Sequence, residues 1–97
     1  MRVQFVEREN RPERLVCEAE LVFGEEAGPL AGMKLVGFSL WRSAEGEVFV
    51  TFPSRSSVVG NERRFFDYLR SAEGVAGDAK RVKEWILQEF RTHSRAA

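Results

Sequence analysis

Residues 35–55 read LVGFSLWRSAEGEVFVTFPSR, and this stretch decides the fold that the sequence predicts. Two apolar runs, 35–41 and 48–52, flank a polar segment, and both are rich in the β-branched and aromatic residues that suit strands. The polar segment, Arg42–Glu47, contains Gly46, which can take the positive φ that closes a short hairpin loop. Pro53 lacks an amide donor and is expected to end the second strand. The stretch therefore predicts a β-hairpin.

The alternation of side chains places apolar residues on both faces of this hairpin. Val36, Phe38 and Leu40 fall on one face of the first strand, together with Val48, Val50 and Phe52 of the second strand. Leu35, Trp41 and Phe49 fall on the other face. One helix can cover only part of one side, so the second set would be left in water. The pattern predicts a homodimer that buries it.

The chain before the hairpin predicts two further strands and a loop. Residues 3–7 alternate as a short strand, and residues 15–23 alternate over a longer one, with Leu15, Cys17, Ala19, Leu21 and Phe23 on its apolar face. Residues 24–32 contain three glycines and read as a solvated loop.

The chain after the hairpin is less uniform. Residues 55–61 are mostly polar and read as a loop, whereas residues 61–70 fit a helix or a strand equally well by periodicity. Asp78 is expected to cap a final helix, whose apolar stripe is formed by Ala79, Val82, Ile86 and Phe90. Glu89 falls inside this apolar arc and is expected either to reach out to water or to pair with an arginine. The chain from Arg91 onward is expected to fray.

These elements predict an α+β fold, a small antiparallel sheet of four to five strands with one C-terminal helix, in a single domain over residues 1–97. Fifteen basic and fifteen acidic side chains give zero net charge, which argues against broad, charge-driven binding to nucleic acid or membrane. No apolar run is long enough to span a membrane, and no signal peptide opens the chain. With Cys17 as its only cysteine, the chain fits a reducing cytoplasm.

The motifs of enzymes and metalloproteins are missing from the sequence. His93 is the only histidine and lies near the end of the chain, so a catalytic triad has no well-placed base and zinc has no ligand set. Phosphate-loop and dinucleotide fingerprints are absent as well. We therefore expect no catalytic residues, no metal, no cofactor, no small-molecule substrate and no enzyme activity.

Three strings in the chain resemble the SpoVG family of bacterial septation and sporulation proteins. They are LVGFSLW, GEVFVTFPSR and VKEWILQEF, and the resemblance runs from about Ala19 to Phe90. In the family, an apolar strand ends in Met-Pro-Ser and two basic residues; here Phe52 stands in the methionine position and Ser56 replaces the second basic residue. The family has a strand after this segment, which favours a strand over residues 64–69.

The resemblance implies a small α+β homodimer in the bacterial cytoplasm that binds DNA or RNA and regulates processes such as cell division or sporulation. The family's nucleic-acid contacts follow Pro-Ser, which points to Arg55. Neighbouring basic residues extend the predicted surface to Arg63, Arg64, Lys80 and Lys83. Phe65 and Phe66 are interpreted as core residues, with base stacking as the alternative. The competing hypothesis, favoured by zero net charge and Ser56, is a dimeric protein-interaction module without nucleic-acid binding.

Overall fold

The computed structural model describes residues 1–96 and confirms the predicted α+β class. A four-stranded antiparallel sheet, a separate two-stranded hairpin and one C-terminal helix make up the chain. In chain order the elements are β1 (Arg2–Val6), β2 (Leu15–Val22), a short 3₁₀ segment (Glu25–Leu30), β3 (Lys34–Arg42), β4 (Val48–Thr51), β5 (Ser54–Val59), β6 (Glu62–Asp67) and α1 (Ala76–Ala96).

The core lies between the four-stranded sheet, ordered β1-β2-β3-β4, and the apolar stripe of α1. The strand alternation that the sequence predicts in β2 is confirmed, since its alternate apolar side chains are all buried. On the helix, Ile86 has no exposed surface, and Val82 and Phe90 pack beside it. The helix therefore covers one face of the sheet, as expected, and leaves the other face without a covering layer.

A β-bulge in β3 corrects the predicted faces of the first hairpin strand. Ala19 lies opposite Phe38, but Leu21 lies opposite Leu35, so a step of two residues along β2 matches a step of three residues along β3. The extra residue reverses the alternation before Phe38. Leu35 consequently packs against the core and Val36 is exposed, the reverse of the sequence-based assignment.

The predicted hairpin turn is confirmed, whereas the predicted loop after it is wrong. Gly46 has a φ of 87°, as predicted, and β4 ends before Pro53. The predicted loop over residues 55–61 is wrong, because residues 54–59 form β5 and pair in regular register with β6. For residues 61–70, the strand alternative is correct. The two strands form a hairpin arm, residues 54–67, outside the main sheet.

The final helix is longer at both ends than the sequence indicates. It begins at Ala76, so Asp78 is its third residue rather than its N-cap. It continues to Ala96 instead of fraying from Arg91, while Ala97 lies outside the described residues. Packing supports the extension, since His93 stacks at 5.0 Å on Phe5 of β1. No helix within residues 1–96 is long and apolar enough to cross a membrane.

Candidate nucleic-acid interface

The hairpin arm is the most exposed ordered part of the molecule. Its aromatic side chains are uncovered: Phe65 is 69% exposed and Phe66 is 38% exposed. The interpretation of both as core residues is therefore wrong. The radius of gyration is 14.8 Å, whereas a compact chain of this length would have roughly 12–13 Å. The arm extends the molecule beyond a compact shape and presents apolar side chains to solvent.

The base of the arm is defined by one hydrogen bond between its two ends and by one close approach to the sheet. The amide of Tyr68 donates a hydrogen bond to the Pro53 carbonyl oxygen at 2.9 Å, which closes the arm beyond the last β5–β6 pair. Pro53 itself is buried and lies against the bulge in β3. A Cβ added to Gly37 would stand only 2.9 Å from the Pro53 Cβ, so glycine is needed for this approach. The same bulge that reverses the faces of β3 thus receives the base of the arm.

One face of the arm combines arginines with an aromatic ring. Arg55 pairs directly with Phe66, and residues that are opposite in an antiparallel pair share a face. The Arg55 guanidinium lies over the Phe66 ring, 5.7 Å from its centroid. Arg64 lies on this face two residues before Phe66, and its guanidinium is 3.6 Å from the Glu62 carboxylate. We call Arg55, Arg64 and Phe66 the stacking face.

Arg63 lies on the opposite face, although it is the neighbour of Arg64 in sequence. Arg63 pairs with Val58, and its Nη1 donates a hydrogen bond to Ser56 Oγ at 3.2 Å. Phe65 pairs with Ser56 and lies on that face too. The strand therefore separates the two arginines that the sequence analysis placed in a single surface, because consecutive side chains of a strand point to opposite sides.

Of the two helix lysines in the predicted surface, only Lys83 lies near the base of the arm. The Lys83 ammonium lies 5.1 Å from the ring centroid of Phe52, the residue before Pro53. Lys80 is fully on the surface, with its Nζ 3.9 Å from a Glu84 oxygen one helical turn on. The helix packs mainly on β4 and β1. Lys83 is thus beside the start of the arm, whereas Lys80 is engaged with its own helix.

A cleft of about 230 Å³ lies between the segment after the arm and the start of α1. Its apolar floor includes Phe52 and Val82, and Ser71 and Asp78 stand on its polar side. The Ser71 hydroxyl donates to Asp78 Oδ2 at 2.6 Å, and this bond, with help from Arg81, lowers the pKa of the Asp78 carboxyl. The polar groups are therefore satisfied within the chain, and they join the segment to the helix.

The remaining reactive group is Cys17 in the core. Burial, together with repulsion from Glu7, raises the pKa of its thiol to about 11, so it is protonated at neutral pH. Within residues 1–96, no three His, Cys, Asp or Glu side chains cluster in a way that could hold a metal ion.

β5 and the exposed residues at its end, Val58 and Val59, are not predicted by the sequence pattern. The available signal was Gly60-Asn61 between Val-Val and Glu-Arg, a two-residue turn of the kind that joins hairpin strands. Gly60 has a φ of 65°, consistent with such a turn. Comparison with family models, curated proteins and solved structures finds no match for this chain. Its resemblance to the SpoVG family stays a prediction.

Proposed function

We propose that this protein binds DNA or RNA through the stacking face of its hairpin arm. The observation that carries the proposal is the Arg55 guanidinium held over the exposed Phe66 ring, with Arg64 on the same face. Guanidinium groups fork to phosphate oxygens, and aromatic rings stack on bases. A two-stranded ribbon also has the width to enter the major groove of duplex DNA.

The charge balance limits how this binding works. Zero net charge gives no long-range attraction over the whole surface, so affinity depends on the few cations that the arm presents. Arg55 and Arg64 are the primary contacts, Lys83 is close to the base of the arm, and Arg63 and Lys80 are peripheral. Two arms in a homodimer would act together and raise the effective affinity.

The biological setting follows from the resemblance to the SpoVG family. In this setting, the chain acts in the bacterial cytoplasm as a regulator that binds nucleic acid and catalyses no reaction, with roles in cell division or sporulation. The second candidate function, a dimeric protein-interaction module, is favoured by a different observation: Phe65 and Val58 expose 69% and 65% of their surface on the other face of the arm.

Binding to pooled DNA and RNA oligonucleotides at low salt tests the proposal. Replacing Arg55 and Arg64 with alanine should weaken binding by at least about tenfold, because one charge-assisted hydrogen bond contributes roughly 1.5–3 kcal/mol. Arg91→Ala with Arg95→Ala is the matched control, since it removes the same charge from the exposed end of α1. An equal loss in both double variants would move the site off the arm. No binding by the parent protein would favour the interaction module.

A further inference from the structure

The outer edge of β6 pairs with no other strand of the described residues. β6 pairs with β5 in unbroken register from Glu62 to Asp67, and no other strand within residues 1–96 pairs with it. Proteins usually blunt such edges with proline, charged side chains, a bulge or a covering segment. β6 contains no proline, its register contains no bulge and all six of its residues are exposed, so its four charged side chains alone guard the edge. The edge is therefore free to receive another strand.

The side chains of β6 carry a self-complementary pattern. Arg63, Phe65 and Asp67 alternate along one face, so the order along the strand is positive, apolar, negative. Reversing the strand direction places the negative end where the positive end was. Among the described residues, neither Asp67 nor Arg63 forms an ion pair within 4 Å, and Arg63 donates a hydrogen bond to the neutral Ser56 hydroxyl. Both charges remain available to a partner.

We infer that β6 pairs antiparallel with β6 of a second copy of this chain, about a two-fold axis at Phe65. In this register, Arg63 lies directly across from Asp67 of the second copy, and the same pair recurs on the other side of the axis. The two Phe65 side chains meet at the centre, which removes the most exposed ring of the arm from water. On the stacking face, Arg64 comes opposite Phe66 of the second copy.

The partner strand belongs to a second copy rather than to another protein, because the order positive, apolar, negative along β6 is complementary to the same order running in the opposite direction. β5 does not offer this match, since Arg55 is its single charged residue and a two-fold axis gives it no acidic counterpart. The resulting sheet would run β5-β6-β6-β5 and would join the two stacking faces into one surface. The pairing does not depend on nucleic-acid binding, so the mass of the protein in solution tests it independently of the proposed function.

Charge reversal tests the register directly, by sedimentation or light scattering over a micromolar concentration series. The parent should have twice the 11.1 kDa chain mass. Arg63→Glu and Asp67→Arg should each raise the dimer dissociation constant roughly tenfold or more, because each places like charges opposite one another at two positions. An equimolar mixture of the two variants should recover the dimer, since both cross-pairs in the mixed dimer are again attractive.

Arg91→Glu is the matched control, because it makes the same charge change at an exposed position of α1, outside the arm. It should leave the mass of the dimer unchanged, and circular dichroism should show that every variant is folded. A monomeric parent overturns the inference. So does a dimer that neither reversal weakens, or a pair of weakened variants whose mixture stays monomeric, since complementarity between two copies requires that recovery.

Discussion

Replacing Gly37 with alanine should destabilise the protein through two separate effects. Gly37 has a φ of 101°, outside the regions that a side chain allows, and this costs roughly 1–2 kcal/mol. The new Cβ would also stand 2.9 Å from the Pro53 Cβ, in a place where Pro53 is buried and cannot move freely. Overpacking of this kind typically costs about 1–3 kcal/mol. The sum is about 2–5 kcal/mol of the free energy of unfolding.

Gly46→Ala separates the two effects. Gly46 has a similar φ of 87°, but a Cβ there would meet nothing within 4 Å. Urea denaturation of both variants should show Gly46→Ala losing only the backbone part and Gly37→Ala losing about 1–3 kcal/mol more. If Gly37→Ala is no less stable than Gly46→Ala, the bulge does not receive Pro53 as described, and the base of the arm is held in another way.

Three smaller predictions concern the core and the helix. Glu89 is exposed and forms no ion pair within residues 1–96, so Glu89→Ala should melt within a few degrees of the parent; a large drop would reveal a buried partner. Cys17 should resist thiol reagents in the native protein at neutral pH and react readily in urea; fast native labelling would contradict its burial. The bond from Ser71 lowers the pKa of Asp78, so its contribution to stability is present above the unfolded pKa and is lost as the pH falls through the folded pKa. Ser71→Ala should therefore cost stability at neutral pH and cost less in acid, and a loss independent of pH would argue against this linkage.

Strand pattern and turn chemistry were enough to predict the four strands of the main sheet. The alternation of Leu15, Cys17, Ala19 and Leu21 identified β2, and the glycine at position 46 identified the hairpin turn. These signals are local, and burial of one face reinforces them. The phase change at Leu35 was not predictable by alternation, because a bulge adds one residue without altering composition.

The arm shows where such prediction fails for a functional site. β5 reads Ser-Arg-Ser-Ser-Val-Val and is exposed except for the half-buried Ser57, so no apolar period distinguishes it from a loop. Phe65 and Phe66 were assigned to the core because aromatic residues usually lie there. Their exposure depends on the arm leaving the sheet at Pro53, a tertiary property. Arg63 and Arg64 were grouped because they are adjacent, yet the pleat separates them.

The salt dependence of nucleic-acid affinity tests the central proposal most directly. If the two arginines of the stacking face, with Lys83 at the base of the arm, engage two or three phosphates, the slope of log K against log salt for a duplex should be about −2 to −3 per protomer. Each phosphate-binding arginine that is removed should flatten the slope by about 1, so Arg55→Ala with Arg64→Ala should flatten it by about 2. An unchanged slope in that variant, or a parent protein that binds no nucleic acid at low salt, would contradict the assignment of the arm as the binding site.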